Sequence, residues 1–243
     1  MNLLLLEPDQ LSADGAIRLA GPQARHLLTV LRAVQGDEVR VGLLNGPLGR
    51  GRVVATADGA VDLRCTFDSG VPEPPRVDLL LALPRPKVLR RLWSQLAALG
   101  VGQIVLTNAA RVERNYFDTH VLTPACYRPL LIEGLQQARD TRLPSVSIHR
   151  QFRVLIEDDL DRLVPDAVRV AAHPGDARTI ADVLRDRSDG RVLLAVGPEG
   201  GWNDFELDLL RAHRFVTAGL GPRTLRTDTA CVALISIVHG VIR

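Results

Sequence analysis

Arg191-Val192-Leu193-Leu194-Ala195-Val196-Gly197-Pro198-Glu199-Gly200-Gly201-Trp202-Asn203-Asp204-Phe205-Glu206 is the stretch on which the fold turns. After Arg191, residues 192–196 form a continuous apolar run with a β-branched residue at each end, the pattern of a strand buried on both faces. Gly197 ends it. Asn203 and Glu206 then stand at the spacing of a capping box and open a helix over Asn203–Arg211. Strand, bend and capped helix in succession form the unit of a parallel α/β sheet, in which ligands collect beyond the carboxyl ends of the strands. Three glycines in five positions let the backbone take positive φ and approach a ligand closely. No Lys-Ser/Thr follows the last glycine, and the spacing is not GxGxxG, so neither common phosphate loop is present. The bend suits a ligand held by backbone groups; read alone, a plain glycine-rich turn fits it equally.

The same rhythm extends outward. Strands are expected at Val77–Leu83, Gln103–Thr107, Ala167–Ala172 and Phe215–Leu220. Helices are expected at Lys87–Leu99, Pro124–Arg139, Ile180–Arg187 and from Thr229 to about Val241, the last capped by Thr227 or Asp228. Three prolines in Val71-Pro72-Glu73-Pro74-Pro75-Arg76 resist helix and central strand alike and mark a boundary. Before it, short β-like segments (Arg18-Leu19, Glu38–Val41, Gly51–Ala55, Ala60–Cys65) and one helix, Gly21–Arg32, describe a small β-rich domain over residues 1–73. Residues 74–243 form the α/β domain.

Composition excludes several classes. Thirty Lys+Arg against 28 Asp+Glu give a net charge of +2, so the chain is neither a histone-like binder nor an acidic tail. With 46% hydrophobic and 24% charged residues it folds rather than stays disordered. Cys65, Cys126 and Cys231 are scattered and odd in number. No CxxC or Cys/His cluster points to a metal, and a reducing, cytoplasmic setting is expected. The run Leu3–Leu6 is too short for a signal-peptide core, and no stretch of ~18 apolar residues would span a membrane.

Leu220-Gly221-Pro222-Arg223-Thr224-Leu225-Arg226-Thr227-Asp228-Thr229 is a second strand-end bend. Arginines at a strand terminus can bind an anion or stabilise developing negative charge. Each is equally compatible with a solvated side chain or one paired with Asp228. His173-Pro174 follows a strand and reads either as a wall of the same pocket or as a turn. Trp93 and Trp202 read as packing residues and Cys231 as a core thiol.

Gly197-Pro198-Glu199-Gly200-Gly201 with Glu206, followed by Leu220 to Ala230, closely resembles the RsmE family, the 16S ribosomal RNA uracil-N3 methyltransferases of the SPOUT class. Arg25-His26-Leu27-Leu28-Thr29-Val30-Leu31-Arg32 with Gly36 resembles that family's His-xxx-Val-Leu-Arg signature. Leu99-Gly100-Val101, Arg111, His173-Pro174 and Gln137 with Pro144 fall in matching order. The chain departs at Gln136–Asp140, where many members carry Glu-Gln-x-x-Arg, at Ser94-Gln95 and Ala97-Ala98, and at Asp228, where Glu is usual.

The resemblance implies a SPOUT-type parallel sheet with a C-terminal trefoil knot, preceded by a small PUA-like β-barrel. It implies a cytoplasmic homodimer acting on 16S ribosomal RNA of the small subunit, without metal or membrane. S-adenosylmethionine is expected on His173, Val196, Gly197, Pro198, Glu199, Gly200, Gly201, Leu220, Gly221, Pro222 and Leu225. Arg226 and, less strongly, Arg223 are expected to stabilise charge on the uracil oxygens; Asp228 is expected to orient Arg226 or to act as the base, orientation being favoured because an aspartate beside arginine is acidified. Arg25, Arg32, Arg85, Lys87 and Arg111 are expected to meet RNA phosphates; for any one of these, a solvated surface charge is the competing reading. A methyltransferase of the same fold on another RNA, or a non-catalytic RNA-binding homologue, fits the residues as an alternative.

Overall fold

The computed structural model describes residues 2–185 and 190–242. Contacts divide the chain into two units. The first comprises Met1–Pro74 together with Ile132–Leu143. Its elements are β1 (Leu4–Leu6), β2 (Ala16–Leu19), α1 (Gly21–Thr29), β3 (Glu38–Leu43), β4 (Leu48–Ala57) and β5 (Ala60–Phe67). They form a five-stranded sheet in the order β1-β3-β4-β5-β2. All pairs are antiparallel except β1 with β3, where Leu4 lies opposite Val41. The apolar run at the N-terminus is thus a buried strand. Leu4, Leu6, Leu19, Leu27, Val41 and Leu63 belong to the core cluster, against which α1 lays Ala24 and Leu27. Helix α1 stops at Thr29, short of the expected Arg32, because Arg32 takes a φ of 52° and breaks the helical run. Residues 132–143 belong here because buried Thr141 donates from Oγ1 to Gly46 O (2.6 Å), while its own carbonyl accepts from Asn45 N (2.8 Å).

The second unit, Pro75–Leu131 with Pro144–Arg243, continues the numbering. Its elements are β6 (Val77–Ala82), α2 (Pro86–Ala98), β7 (Val101–Thr107), α3 (Pro124–Ala138), whose end passes into the first unit, and β8 (Ser145–His149). Then follow α4 (Phe152–Val154) and α5 (Leu160–Leu163) on either side of a π-helical turn, β9 (Val168–Ala172) and α6 (Ile180–Leu184). Last come β10 (Val192–Val196), α7 (Asp204–Ala212), β11 (Phe215–Ala218) and α8 (Thr227–Val241). The sheet runs β11-β9-β10-β6-β7-β8, parallel at every pairing. Every residue of β6 and β10 is buried, as expected of central strands covered on both faces. A carboxylate–guanidinium fork joins them at their amino ends: buried Asp78 receives Arg191 Nη2 at 2.8 Å, and that hydrogen bonding, helped by the carboxylate's charge, holds the Arg191 pKa above the usual range against the pull of burial.

Helix α2 begins at Pro86, whose missing N–H costs nothing in a first turn. It buries Leu89, Leu92, Trp93 and Leu96 on one face. Helix α8 starts at Thr227 with Arg226 as its N-cap residue, two residues earlier than the sequence suggested. The expected end of the 180s helix at Arg187 lies outside the described residues. Among the described residues, no helix is long and apolar enough to cross a membrane.

Candidate functional site

Because the strands are parallel, the loops leaving β7, β9, β10 and β11 all emerge on the carboxyl edge of the sheet. A cavity of about 280 Å³ opens there. Every residue from Val196 to Trp202 lines it, as do His173, Leu220, Gly221, Arg223 and Leu225. The two bends singled out in the sequence therefore share one cavity. Each needs a left-handed backbone position supplied by glycine: φ is +74° at Gly201 and +100° at Gly221.

Several expected residues stand elsewhere. Pro222 is exposed and outside the lining, and so is Arg226. Asp228 does not hold Arg226. Its carboxylate takes Arg91 Nη2 of α2 at 2.7 Å and its own neighbour's N–H, Thr229 N, at 3.0 Å. Burial works against ionisation of Asp228, but the Thr229 N–H and the Arg91 guanidinium outweigh it and keep the carboxyl acidic. Arg25 and Arg32 are exposed on the first unit; Arg85 and Lys87 are exposed on the second. Arg111 lies in the cavity wall, its guanidinium on the carbonyl oxygens of Gly200 and Gly201.

The glycine bend is braced from both sides. Asn203 Oδ1 accepts from Glu206 N (2.8 Å), and Glu206 Oε2 accepts from Asn203 N (2.9 Å), the reciprocal cap expected from the sequence. Glu206 Oε1 also accepts Ala110 N from the loop after β7, at 2.6 Å. Glu206 is 3% exposed, so both oxygens of a buried carboxylate are spent on backbone N–H groups. Glu199 Oε1 accepts Arg85 N from the loop after β6 at 3.3 Å.

Sequence reasoning missed parts of the wall. Trp202 does pack, its ring 5.4 Å from that of Phe152, but it also lines the cavity. Its buried Nε1 and the buried Nδ1 of His173 have no hydrogen-bond partner among the described residues. The signal for Trp202 was its place directly after Gly-Gly. Thr227, Ala230 and Leu234 of α8 close the floor, a face visible only once α8 is folded back. Among the described residues, no group of three or more His, Cys, Asp or Glu is arranged to hold a metal ion.

Comparison with known proteins agrees with this fold. An RNA methyltransferase domain matches residues 71–239. The ribosomal RNA small subunit methyltransferase E of Treponema pallidum is 28% identical, covering 98% of this chain and 90% of its own length. The crystal structure of a ribosomal RNA small subunit methyltransferase E from Neisseria gonorrhoeae, bound to S-adenosyl methionine, superposes with a TM-score of 0.79. It is 22% identical and covers 100% of this chain and 98% of its own. A methyltransferase of Legionella pneumophila in complex with the bound cofactor SAM gives a TM-score of 0.77 at 21% identity, covering 98% and 97%. With the domain match spanning both bends, the sheet and α8, the chain belongs to the RNA methyltransferase family.

Proposed function

We propose that this chain transfers a methyl group from S-adenosylmethionine to N3 of a uridine in 16S ribosomal RNA. The observation that carries the reading is a single cavity walled by both bends. Its residues fit the donor. Val196, Leu220, Leu225 and Leu234 offer apolar walls for a nucleoside. Trp202 Nε1 and His173 Nδ1 are buried polar atoms that no group among the described residues satisfies, so a polar ligand there relieves an energetic cost. Backbone groups of Val196–Gly201 and Leu220–Leu225 would hold it.

When bound, the donor supplies a methyl group already activated by a positively charged sulfur. The chain's own task is alignment and control of charge. Alignment in a near-attack geometry can be worth several kcal/mol, up to ~7–11 in the best intramolecular cases. The uracil ring nitrogen must give up its proton, leaving negative charge on the flanking carbonyl oxygens. Arg226, assisted by Arg223, stabilises that charge. Both guanidiniums are exposed and make no side-chain hydrogen bond to another described residue, so they are available to an incoming base. Asp228, held acidic and tied to Arg91, is a poor base and instead fixes the start of α8 beside Arg226.

The finer architecture belongs to the same reading. The C-terminal knot follows from the resemblance. The five-stranded first unit supports a PUA-like domain built on residues 1–73 and completed by 132–143, with Arg25 and Arg32 toward RNA and the rest of residues 74–243 as the SPOUT domain. Arg85 and Lys87 add positive charge on the second unit. Three free cysteines suit the cytoplasm, and the homodimer follows from the resemblance. Calorimetry with S-adenosylmethionine, followed by transfer of labelled methyl to small ribosomal subunits and mapping of modified uridines, tests the reading. Arg226→Ala is expected to lower turnover about 10²–10³-fold at saturating donor with donor affinity unchanged. Near-normal turnover removes Arg226 from the chemistry, and a wild-type chain that does not bind the donor sinks the whole assignment.

A further inference from the structure

We propose that Arg111 is a positioning residue for the methyl-donor bend, holding the Gly200–Trp202 backbone in its binding shape from a neighbouring loop. The proposal rests on the reading above that the cavity takes S-adenosylmethionine. Arg111 sits just after β7, on a loop that is itself anchored: Ala110 N is tied to Glu206 Oε1 at 2.6 Å, and Val112 N closes a turn on Ala109 O at 3.0 Å. From that base its Nη1 donates to Gly200 O, with Gly201 O at 3.5 Å. The peptide unit is planar, so fixing these carbonyls fixes the planes that link Gly200 to Gly201 and Gly201 to Trp202. Gly201 N closes the bend internally on Pro198 O at 2.8 Å.

The aliphatic stem of Arg111 lies directly over Gly200. A Cβ built at Gly200 would come within 2.9 Å of Arg111 Cδ and 3.4 Å of its Cβ. Residue 200 is therefore bare where the arginine crosses it. A bend with three glycines in five positions has more backbone entropy to lose than one built of other residues. A tether from outside removes part of that loss before the ligand arrives, which strengthens binding without touching the ligand's reacting atoms. A guanidinium engaged in this way acts on the donor, not on an RNA phosphate.

The test measures donor affinity and RNA kinetics separately in the full chain. Calorimetry with S-adenosylmethionine compares the wild type with Arg111→Ala and Arg111→Lys, and steady-state methylation of small ribosomal subunits is run at saturating donor. Arg111→Ala is expected to bind the donor about 10- to 100-fold more weakly, the range of one lost charge-assisted hydrogen bond, while the KM for the ribosomal substrate stays within about twofold. Arg111→Lys, with a point charge in place of the fork, is expected to recover part of the affinity. Donor affinity unchanged in Arg111→Ala, or a loss confined to the RNA KM, overturns the proposal. Gly200→Ala reaches the same tether without removing it, and its expected outcome is weaker donor binding with a near-native melting temperature. In the Arg111→Ala background the same change should cost much less, since the crossing stem is gone. Native affinity in Gly200→Ala overturns the proposal even if Arg111→Ala misfolds. Failure of the wild type itself to bind the donor is a separate result, and it removes the functional reading underneath.

Discussion

Glu206 is the residue whose removal most directly measures how the site is braced. Its two oxygens accept Asn203 N at 2.9 Å and Ala110 N at 2.6 Å, so one side chain caps the start of a helix and clips two loops together. Hydrogen bonds to a charged group contribute about 1.5–3 kcal/mol each. Asn203 is half-buried and Ala110 exposed, so both freed N–H groups can find water. That places the cost of Glu206→Ala at the low end, about 3 kcal/mol for the pair. For a chain of this length about 2–4 °C is lost per kcal/mol, so the melting temperature should fall by about 6–12 °C. Glu206→Gln is the more pointed variant. The amide keeps the shape but presents one oxygen and one NH2 group, so one backbone N–H must face a donor. It should lose at least half of what the alanine loses, and donor affinity should fall with it as the bend loosens. Thermal unfolding followed by circular dichroism, with calorimetry on the same samples, reads both effects. A glutamine variant as stable as the wild type would refute the two-oxygen grip, whatever the alanine variant does.

Two further outcomes follow from titratable groups. His149 on β8 is pushed below its ordinary pKa of 6.5, chiefly by burial and secondarily by Arg162, with Asp159 pulling the other way. The unfolded chain therefore binds this proton at a higher pH than the folded one, so the His149 contribution is complete above about pH 6.5 and is lost as pH falls toward the folded pKa. A His149→Asn variant should lose less stability than the wild type between pH 7.5 and 5.5 in urea titrations, and an NMR titration midpoint for His149 at or above the ordinary value contradicts this. Burial pushes the Cys231 thiol up to about 12, with the Asp228 charge adding to it, and burial also raises Cys65. Cys126 is only half-buried. An aromatic disulfide reagent should therefore modify Cys126 first in the native chain and reach the other two on unfolding; equal native rates for all three would be the opposite result.

What could be read from the sequence was what neighbouring residues decide between themselves. The five apolar residues of β10, the Asn203–Glu206 cap and the two glycine bends each carry their signal within a few positions. Strand β8 is an edge strand whose polar–apolar alternation, Ser145–His149, spans only five residues, too few to stand out beside the continuous apolar runs of the central strands. Strand β1 is three residues long and gains its place only by pairing with β3. The long-range partners were hidden for a different reason. With 30 cationic and 28 acidic side chains, a charge announces that it needs a partner or water without saying which. Asp228 stands two residues from Arg226, so the nearer guanidinium was the natural choice, yet Arg91, 137 positions away, holds it. Arg111 and Gly200 are 89 positions apart. Strand order is what resolves such pairs: β10, β6 and β7 are consecutive and parallel, so the loops leaving β7 and β10 must emerge on one edge, one strand apart. At the strand spacing of about 4.8 Å, that interval is about 10 Å, within reach of an extended arginine that starts on one loop and ends on the other. The contact between Arg111 and the glycine bend is thus a consequence of topology, and a sequence becomes informative about it only after the sheet order is known.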